Sequence, residues 1–357
     1  MEPEKISAAL IVRDGESTLE RCLLSIKDHV DEIVIALDSR TKDKSKSIAR
    51  KYGAKVYRYE WIDSFCHARN FAASKCSNDW ILVVDADDFI APDQTFETLI
   101  PSTEFAGASL LVQTAETSRH YSPRIYRQSI GKYCGRIHEY IDYCGASITN
   151  LPIRMIHARG EIIEPGRNLR ILKDIMAEYP RYMFYFGREH IHNNQPLEGI
   201  QILTQYIPIS TFQMEKMQAI NDIIMAYYGL KDHTSAKKWC FSAISIEPRF
   251  VPAYYILGRI AADTQDWVQC VNWLESAINM EKNKIGYLFD DSEGIHYLIC
   301  DWLSIAYYYI GDFEIGRIYL DECLEKYPGN QHYLDNKKWY DSIENKMPEE
   351  SSECQAV

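Results

Sequence analysis

The sequence Trp80-Ile81-Leu82-Val83-Val84-Asp85-Ala86-Asp87-Asp88 decides how the first half of the chain is interpreted. Its apolar residues run without a charge and predict a strand buried on both faces, as in a sheet covered by helices. Carboxylates follow where that strand would end, and open α/β sheets bind ligands outside the carboxyl ends of their strands. A hard divalent cation prefers such oxygen ligands. The acids therefore predict either a metal site for a diphosphate, or a polar turn in which Asp87 or Asp88 caps the next helix.

Patterns of strand and helix alternate on the N-terminal side of this stretch. A first apolar strand is predicted at residues 6–12 and a second at 32–37, which ends on Asp38. Between them, Ser17 and Glu20 have the spacing of a capping box and precede a helical pattern. Strands that alternate with helices at this spacing predict βαβ units, and hence a mostly parallel, doubly wound α/β sheet.

Polar groups follow the predicted strands at the points where the strands end. They are Val12-Arg13 with Glu16, then Asp38, then Asp85-Ala86-Asp87. Because the carboxyl ends of parallel strands meet at one edge of a sheet, we expect these groups in one crevice. No GxGxxG follows the first strand, which argues against a dinucleotide-binding domain, and no GxxxxGK[ST] is present, so a P-loop is excluded. The remaining interpretation is a nucleotide site whose diphosphate is neutralised by a metal on aspartates.

Four segments of the first half resemble the family 2 glycosyltransferases of the GT-A fold, in order and at plausible spacing. They are Arg13-Asp14-Gly15-Glu16, Asp38-Ser39-Arg40-Thr41-Lys42-Asp43, Phe65-Cys66-His67-Ala68-Arg69-Asn70-Phe71-Ala72 and Asp79-Trp80-Ile81-Leu82-Val83-Val84-Asp85-Ala86-Asp87-Asp88. Farther along, Ser122-Pro123-Arg124-Ile125-Tyr126-Arg127 and Gly131-Lys132-Tyr133-Cys134-Gly135-Arg136-Ile137-His138-Glu139 resemble one branch of that family. In this branch helical repeats follow the glycosyltransferase domain, and it includes peptide S/O-glycosyltransferases of bacteriocin biosynthesis.

The resemblance assigns a nucleotide-binding role to residues in each matching segment. The residues that would hold the sugar nucleotide are Val12, Arg13, Glu16, Asp38, Arg69, Asn70, Asp85 and Ala86. Among them, Arg69 and Asn70 would lie near the base or diphosphate, and Asp85 would face the ribose. Taken singly, these side chains also fit structural roles, since Glu16 can be a surface turn residue, Asp38 can cap a loop and Arg69 can be a solvated helix charge.

The resemblance also implies a metal and a catalytic base. Asp87 would bind Mn²⁺ or Mg²⁺, and His157, at the end of a short apolar strand, would complete the metal shell, although a histidine hydrogen-bonded within the core fits the pattern as well. An inverting transfer needs a base to deprotonate the acceptor. The Glu-Asp pair that family 2 enzymes commonly use is absent, so Glu139 is the predicted base and His138 the competing choice. Asp88 is predicted to serve only the turn.

From about residue 167 helical spacing replaces the strand patterns. A helix is predicted at 168–179, ended by Pro180, and repeats that resemble the 34-residue tetratricopeptide repeat follow it. The clearest copy carries the matching residues Tyr254, Leu257, Gly258, Ala261, Cys270, Leu274 and Ala277. The predicted organisation is a GT-A domain at 1–165, an all-α repeat domain at 166–346 and a disordered tail at 347–357. Such repeats bind peptides or proteins or pack against a second copy, so an acceptor near the repeats and a homodimer are the predicted partners.

Composition restricts the partners and the cellular location that we expect for the protein. Lys+Arg 39 against Asp+Glu 51 gives a net charge of −12, which argues against nucleic acid and anionic membranes as partners. No apolar run is long enough to span a bilayer, the N-terminus lacks a signal-peptide pattern, and the 10 cysteines form no CxxC pair, so we expect a cytoplasmic protein with reduced thiols.

The predicted function is metal-dependent, inverting transfer of a sugar from a UDP-sugar to a Cys or Ser of a peptide or protein. The alternatives are a polysaccharide or lipid-linked acceptor, an inactive repeat scaffold, and a nucleotidylyltransferase, for which Arg13-Asp14-Gly15 is a poor match.

Overall fold

The structure is a computed structural model that describes residues 4–114, 119–158, 164–281 and 292–344. The chain divides into two compact units, Met1–Asp174 and Ile175–Val357. The predicted domain limits at 165/166 and 346/347 remain predictions, and the predicted tail at 347–357 lies outside the described residues.

The first unit contains an α/β sheet and a separate two-stranded ribbon. Its strands are β1 (Ile6–Val12), β2 (Glu32–Asp38), β3 (Lys55–Tyr59), β4 (Trp80–Val83), β5 (Asp88–Ile90), β6 (Gly107–Gln113), β7 (Arg119–Arg127), β8 (Lys132–Cys134), β9 (Tyr140–Asp142) and β10 (Ile148–His157). Its helices are α1 (Leu19–Ile26), α2 (Ser45–Lys51), α3 (Phe65–Ala73) and α4 (Arg167–Ile175).

The strand order of the large sheet is β3-β2-β1-β4-β7-β6-β10-β5, and β8 pairs with β9. The first four strands are parallel to one another, and β7 then pairs antiparallel with both β4 and β6. Because the chain runs outward from β1 to β2 and β3 and then returns to β4 on the other side, the order reverses at β1. This topological switch point is where open sheets leave a crevice at their carboxyl edge.

Burial explains why the strand patterns were readable from sequence. All four residues of β4 are buried, and β1 is buried except for one half-exposed residue, as expected for strands covered by helices on both faces. Helix α1 buries Leu19, Cys22, Leu23 and Ile26 against this sheet. The predicted capping box is wrong: Thr18 precedes the helix, no side chain caps it, and Glu20 instead accepts hydrogen bonds from Lys51, the last residue of α2, and from Tyr52.

Glu32, at the start of β2, ties neighbouring parts of the sheet together. Its carboxylate accepts hydrogen bonds from Ser7 Oγ on β1 (2.7 Å), Lys55 Nζ on β3 (2.5 Å) and the Ser77 backbone N–H (2.7 Å). Burial opposes ionisation of this carboxyl, but the hydrogen bonds outweigh burial and lower its pKa to about 2. Ionised Glu32 therefore stabilises this edge of the sheet.

Helices are the regular secondary structure of the second unit throughout its described residues. Its helices are α5 (Pro180–His192), α6 (Pro196–Tyr206), a short 3₁₀ helix (Ile207–Ile209), α7 (Gln213–Gly229), α8 (His233–Ile246), α9 (Val251–Asp263), α10 (Trp267–Glu281), α11 (Ser292–Ile310), α12 (Phe313–Lys326) and α13 (Gln331–Glu344). No helix in the described ranges is long and apolar enough to cross a bilayer.

Consecutive helices of this unit pack as pairs: α5 with α6, α7 with α8, α9 with α10, and α11 with α12. Small residues allow the close approach that the repeat pattern predicted. A Cβ added at Gly258 of α9 would lie 2.6 Å from side-chain atoms of the fully buried Leu274 on α10. The predicted fold class, an α/β domain followed by helical repeats, is confirmed.

Two local predictions in the helical region have different outcomes. The predicted helix at 168–179 ends earlier, at Ile175, because Pro180 is the first residue of α5 rather than the stop signal of α4. The sequence also predicts an insertion near Glu281–Gly294, between the third and fourth repeat copies, and its residues 282–291 lie outside the described ranges.

Candidate functional site

A cleft of about 620 Å³ opens at the carboxyl edge of the parallel strands in the first unit. The ends of β1, β2 and β4 all contribute to it, as the strand order requires. The lining residues are Ile11, Val12, Arg13, Asp14, Gly15, Ser17, Thr18, Ala36, Asp38, Arg40, Tyr59, Trp61, Phe65, Ala68, Arg69, Asp85, Ala86, Asp87, His157 and Arg167. Of the predicted nucleotide-binding residues, the structure brings Val12, Arg13, Asp38, Arg69, Asp85 and Ala86 together here.

Asp38 marks the β2 side of the cleft. Its side chain is buried and accepts three hydrogen bonds from the Arg40 guanidinium, of which the shortest is 2.6 Å from Nη2 to Oδ2. Burial opposes ionisation, but Arg40 outweighs it, so the pKa of Asp38 is lowered. Trp61 and Phe65 stand on the same side, with ring centroids 5.0 Å apart in an edge-to-face contact. A carboxylate beside aromatic faces is a suitable environment for a base and its sugar.

Arg69 of α3 lies on the β4 side and joins two carboxylates. Its Nη1 is 2.8 Å from Asp85 Oδ1, and its Nε donates to Glu139 Oε1 at 2.7 Å. Arg124 of β7 holds the other oxygen of Asp85 at 3.1 Å. Burial opposes ionisation of the Asp85 carboxyl. The charges of Arg69 and, to a smaller extent, Arg124 outweigh burial and hold the pKa of Asp85 well below the usual range. Asp85 is therefore a fixed anion with little freedom to ligate a metal.

Asp87, Asp88 and His157 form the acidic end of the cleft. Strands β5 and β10 pair antiparallel so that His157 stands directly opposite Asp88. His157 Nδ1 is 2.8 Å from Asp88 Oδ1 and 3.8 Å from Asp87 Oδ1. Each residue can offer one donor atom, and these atoms all lie within 4.8 Å of one another. The hydrogen bond to Asp88 raises the pKa of His157.

Asp88 has a larger part in this arrangement than the turn role predicted for it. Its side chain is fully buried in β5, and Arg124 Nη2 lies 3.2 Å from its second oxygen. The carboxylate thus links His157 to Arg124, and Arg124 links it to Asp85. Asp88 therefore orients His157, as a carboxylate commonly does for a metal-ligating histidine.

Four of the predicted site residues do not line the cleft. Glu16 points to Lys44, whose Nζ is 3.0 Å from its carboxylate. The Asn70 amide exchanges two hydrogen bonds with the Tyr133 backbone and so fastens α3 to β8. Glu139 is paired with Arg69 and is only 12% exposed.

His138, the fourth, has a φ of 50°, which few non-glycine residues adopt. The Glu139–Arg69 pair is a reason to regard Glu139 as a positioning residue, because its carboxylate binds the arginine that holds Asp85 and does not line the cleft.

Sequence reasoning missed Asp88, Arg124, Arg167 and the aromatic residues of the cleft. Arg124 belonged to a quoted motif but received no role; an arginine inside the strand sequence Arg124-Ile125-Tyr126 was the available signal. Arg167, at the start of α4, lies over the Phe65 ring at 4.7 Å from the centroid. Its Nε is buried and has no hydrogen-bond partner among the residues that the structure describes. No spacing rule in the sequence connects Trp61 or Phe65 to Asp38.

The family model "Glycosyl transferase family 2" matches residues 7–155, which run from β1 into β10 and leave out the first residue of β1 and the last two of β10. The chain is 38% identical over 90 residues to an uncharacterized glycosyltransferase of Rickettsia felis, covering 25% of this chain and 31% of that protein. It is 23% identical over 224 residues to the SPbeta prophage-derived glycosyltransferase SunS of Bacillus subtilis, covering 57% and 53% of the two chains.

Another relative carries the word repeat in its name. A TPR repeat-containing protein of Synechococcus elongatus is 45% identical over 84 residues, which cover 24% of this chain and 21% of that protein. The chain thus spans between about a fifth and about a half of the length of these three relatives.

Two solved structures are also similar. The crystal structure of MamA has a TM-score of 0.36 at 13% identity, covering 52% of this chain and 100% of that chain. Pseudomonas aeruginosa pilF has a TM-score of 0.39 at 12% identity, covering 49% and 75%.

The family match covers nearly all of the sheet, the Asp85-Ala86-Asp87 segment and the cleft residues other than His157 and Arg167 in one continuous stretch. The glycosyltransferase names of two relatives agree with it. The N-terminal unit of this chain is therefore a glycosyltransferase domain of family 2.

Proposed function

We propose that the protein is a metal-dependent, inverting glycosyltransferase that moves a sugar from a UDP-sugar to a Cys or Ser side chain of a peptide or protein. The observation that carries the proposal is the single cleft that joins Asp38 and its aromatic neighbours to the Asp87–Asp88–His157 cluster. A nucleoside at the first end would direct its diphosphate towards the second.

The dimensions of the sheet support this orientation of the donor. Asp38 ends β2 and Asp85 follows β4, with β1 between them. Two strand spacings of about 4.8 Å separate their backbones by roughly 10 Å, a distance that a ribose and diphosphate can bridge. Arg13 and Arg167 line the same cleft, and the Nε of Arg167, which has no partner among the described residues, is a donor suited to a phosphate oxygen.

The acidic end has a donor set suited to Mn²⁺ or Mg²⁺. Asp87 supplies a carboxylate oxygen that is partly exposed, and His157 supplies a nitrogen oriented by buried Asp88. Oxygen-rich sites with one imidazole suit Mn²⁺ better than metals that prefer sulfur. A bound cation would neutralise charge on the departing diphosphate. The protein's own contribution would be to hold Asp87 and His157 in place. The β5–β10 pairing and Asp88 position His157, and the Ala158 N–H donates to the Asp87 carbonyl at 2.9 Å.

The acceptor assignment rests on sequence. The motifs around Arg124–Arg127 and Gly131–Glu139 resemble the branch that includes peptide glycosyltransferases, and a repeat unit follows the catalytic domain. Helical repeats commonly bind peptides or proteins, which favours a peptide acceptor over a polysaccharide. A homodimer through the repeats and a cytoplasmic location remain part of the proposal.

A screen of nucleotide sugars for release of nucleoside diphosphate tests the activity. With Mn²⁺ we expect UDP release from one or more UDP-sugars, loss of release with a chelator, and loss by at least a hundredfold in Asp87→Ala. Asp28→Ala is the matched control, because Asp28 is an exposed carboxylate paired with Lys27. Intact-mass measurement with peptides that carry one Cys or Ser, each beside its Ala counterpart, then tests the acceptor. If folded wild-type protein releases no nucleoside diphosphate from any donor, the enzymatic proposal is wrong.

A further inference from the structure

A cluster of three different metal-ligating side chains lies in the helical unit, apart from the donor cleft. His296 and Cys300 are four residues apart on α11 and therefore share one helix face, and Glu322 approaches from α12. One donor atom from each residue lies within 4.8 Å of the other two. The cluster thus combines an imidazole nitrogen, a sulfur and a carboxylate oxygen.

The distances in the cluster can be compared with those of a tetrahedral zinc site. Zn–N, Zn–S and Zn–O bonds of about 2.0–2.3 Å at tetrahedral angles place the donor atoms roughly 3.4–3.6 Å apart. Cys300 Sγ is 3.5 Å from His296 Nε2 and 3.8 Å from Glu322 Oε2. The other carboxylate oxygen, Glu322 Oε1, is 2.6 Å from His296 Nε2 and makes a direct hydrogen bond to it. The two distances from Cys300 Sγ are therefore close to those of a zinc site, and a metal would replace the hydrogen bond between His296 and Glu322.

Burial also suits a metal that enters from one side. Cys300 is fully buried, the His296 side chain is 26% exposed and Glu322 is 42% exposed. The sulfur would therefore lie at the bottom of the site and the carboxylate at its rim, where Glu322 can move and water can complete the coordination. Because α11 and α12 form one helix pair, an ion held by both would fasten that pair together.

We propose that His296, Cys300 and Glu322 bind one Zn²⁺ ion that joins α11 to α12. The mixture of sulfur, nitrogen and oxygen donors selects zinc over the hard cations suited to Asp87 and His157. Zinc binding replaces the thiol proton of Cys300 with the metal and releases that proton to solvent. The ion is distinct in place and chemistry from the one proposed for the donor site, and its binding does not depend on glycosyl transfer.

The neighbouring Cys323 offers the competing chemistry. It is fully buried in the same core cluster as Cys300, and its Sγ donates a hydrogen bond to the Tyr297 carbonyl at 3.6 Å. If the two sulfurs formed a disulfide, Cys300 would be unavailable as a ligand. The structure records both as free thiols.

Cobalt substitution in the full-length protein tests the proposal selectively. A thiolate bound to Co²⁺ gives a near-ultraviolet charge-transfer absorption, and the Asp87–Asp88–His157 cluster contains no sulfur that could produce it. We expect one equivalent of Co²⁺ to generate this absorption and one equivalent of Zn²⁺ to abolish it. Cys300→Ser should remove the absorption, and His296→Gln should weaken the affinity for Zn²⁺ at least tenfold.

Cys270→Ser is the matched control, because Cys270 is equally buried on α10 but belongs to no metal-ligating cluster among the described residues. It should retain the absorption. Circular dichroism without metal shows whether each variant is folded, and His296→Gln, at a partly exposed position, serves if Cys300→Ser does not fold. The proposal is overturned if wild-type protein gives no absorption, if folded Cys300→Ser or His296→Gln binds as wild type does, or if mass analysis finds a Cys300–Cys323 disulfide in the native protein.

Discussion

Replacing Glu139 by Gln distinguishes two roles for the residue that the sequence nominates as catalytic base. The structure pairs Glu139 with Arg69 at 2.7 Å, and Arg69 in turn holds Asp85 at 2.8 Å. If Glu139 positions Arg69, the Gln variant keeps an acceptor oxygen at the same place and loses only the charge. If Glu139 is the base, the variant loses the group that removes the acceptor proton.

The expected change in stability follows from the hydrogen bond. A bond to a charged group contributes about 1.5–3 kcal/mol and a neutral one about 0.5–1.5 kcal/mol, so Glu139→Gln should lower the free energy of unfolding by about 1–2 kcal/mol. For a unit of this size each kcal/mol corresponds to roughly 2–4 °C, which gives a fall in Tm of roughly 2–8 °C. UDP release should fall less than tenfold, because Arg69 stays in place.

The assay combines thermal unfolding with donor turnover. We expect Mn²⁺ and UDP to raise the Tm of the first unit, which identifies its unfolding transition. Glu16→Gln is the control, since Glu16 is an exposed carboxylate bound to Lys44, and its Tm and turnover should match those of wild type. An unchanged Tm in Glu139→Gln together with a loss of acceptor glycosylation of a hundredfold or more would refute the positioning role and support the base.

Three further changes test other parts of the structure. Asp88→Asn removes the charge that orients His157 and should weaken Mn²⁺ binding about 10–100-fold by calorimetry; unaltered affinity would show that Asp88 does not support the metal. Glu32→Gln should lower stability by about 1–2 kcal/mol at pH 7, because the folded-state pKa of about 2 is depressed below the ordinary 4.5. That difference should be complete above about pH 4.5 and shrink as pH falls towards 2, and a pH-independent difference in urea unfolding would contradict it. Gly258→Ala should destabilise the helical unit by about 1–3 kcal/mol, because the added methyl group would overpack against Leu274. Gly229→Ala is the control and should not destabilise the unit, because the space around its Cβ position is open. Equal Tm values for the two variants would contradict the packing argument.

The strands around the cleft were predictable because their apolar runs are local. Burial on both faces leaves an uninterrupted pattern in β1 and β4, and the observed strands Ile6–Val12 and Trp80–Val83 lie where it indicated. The acids after β4 were equally visible. Their convergence with Asp38 followed from a general property of parallel sheets and needed no side-chain detail.

The partners of those acids could not be predicted, because they depend on contacts between distant segments. Asp88 meets His157 through the β5–β10 register across 69 residues, and Arg69 meets Glu139 across 70. A sequence shows that these side chains exist, but the register of an edge strand and the position of a loop decide which of them touch. The same limit applies to Asn70, whose amide looked available for a ligand and instead holds the backbone of β8.

Calorimetric titration of UDP into the full-length protein, with and without Mn²⁺, tests directly whether the cleft binds a metal-diphosphate. We expect one UDP site per chain whose affinity rises at least tenfold with Mn²⁺ in wild-type protein and in Asp28→Ala. In Asp87→Ala that dependence on Mn²⁺ should disappear. UDP binding of equal strength with and without the metal, or an Asp87→Ala variant that still responds to Mn²⁺ as wild type does, would contradict a metal-diphosphate site at the end of β4.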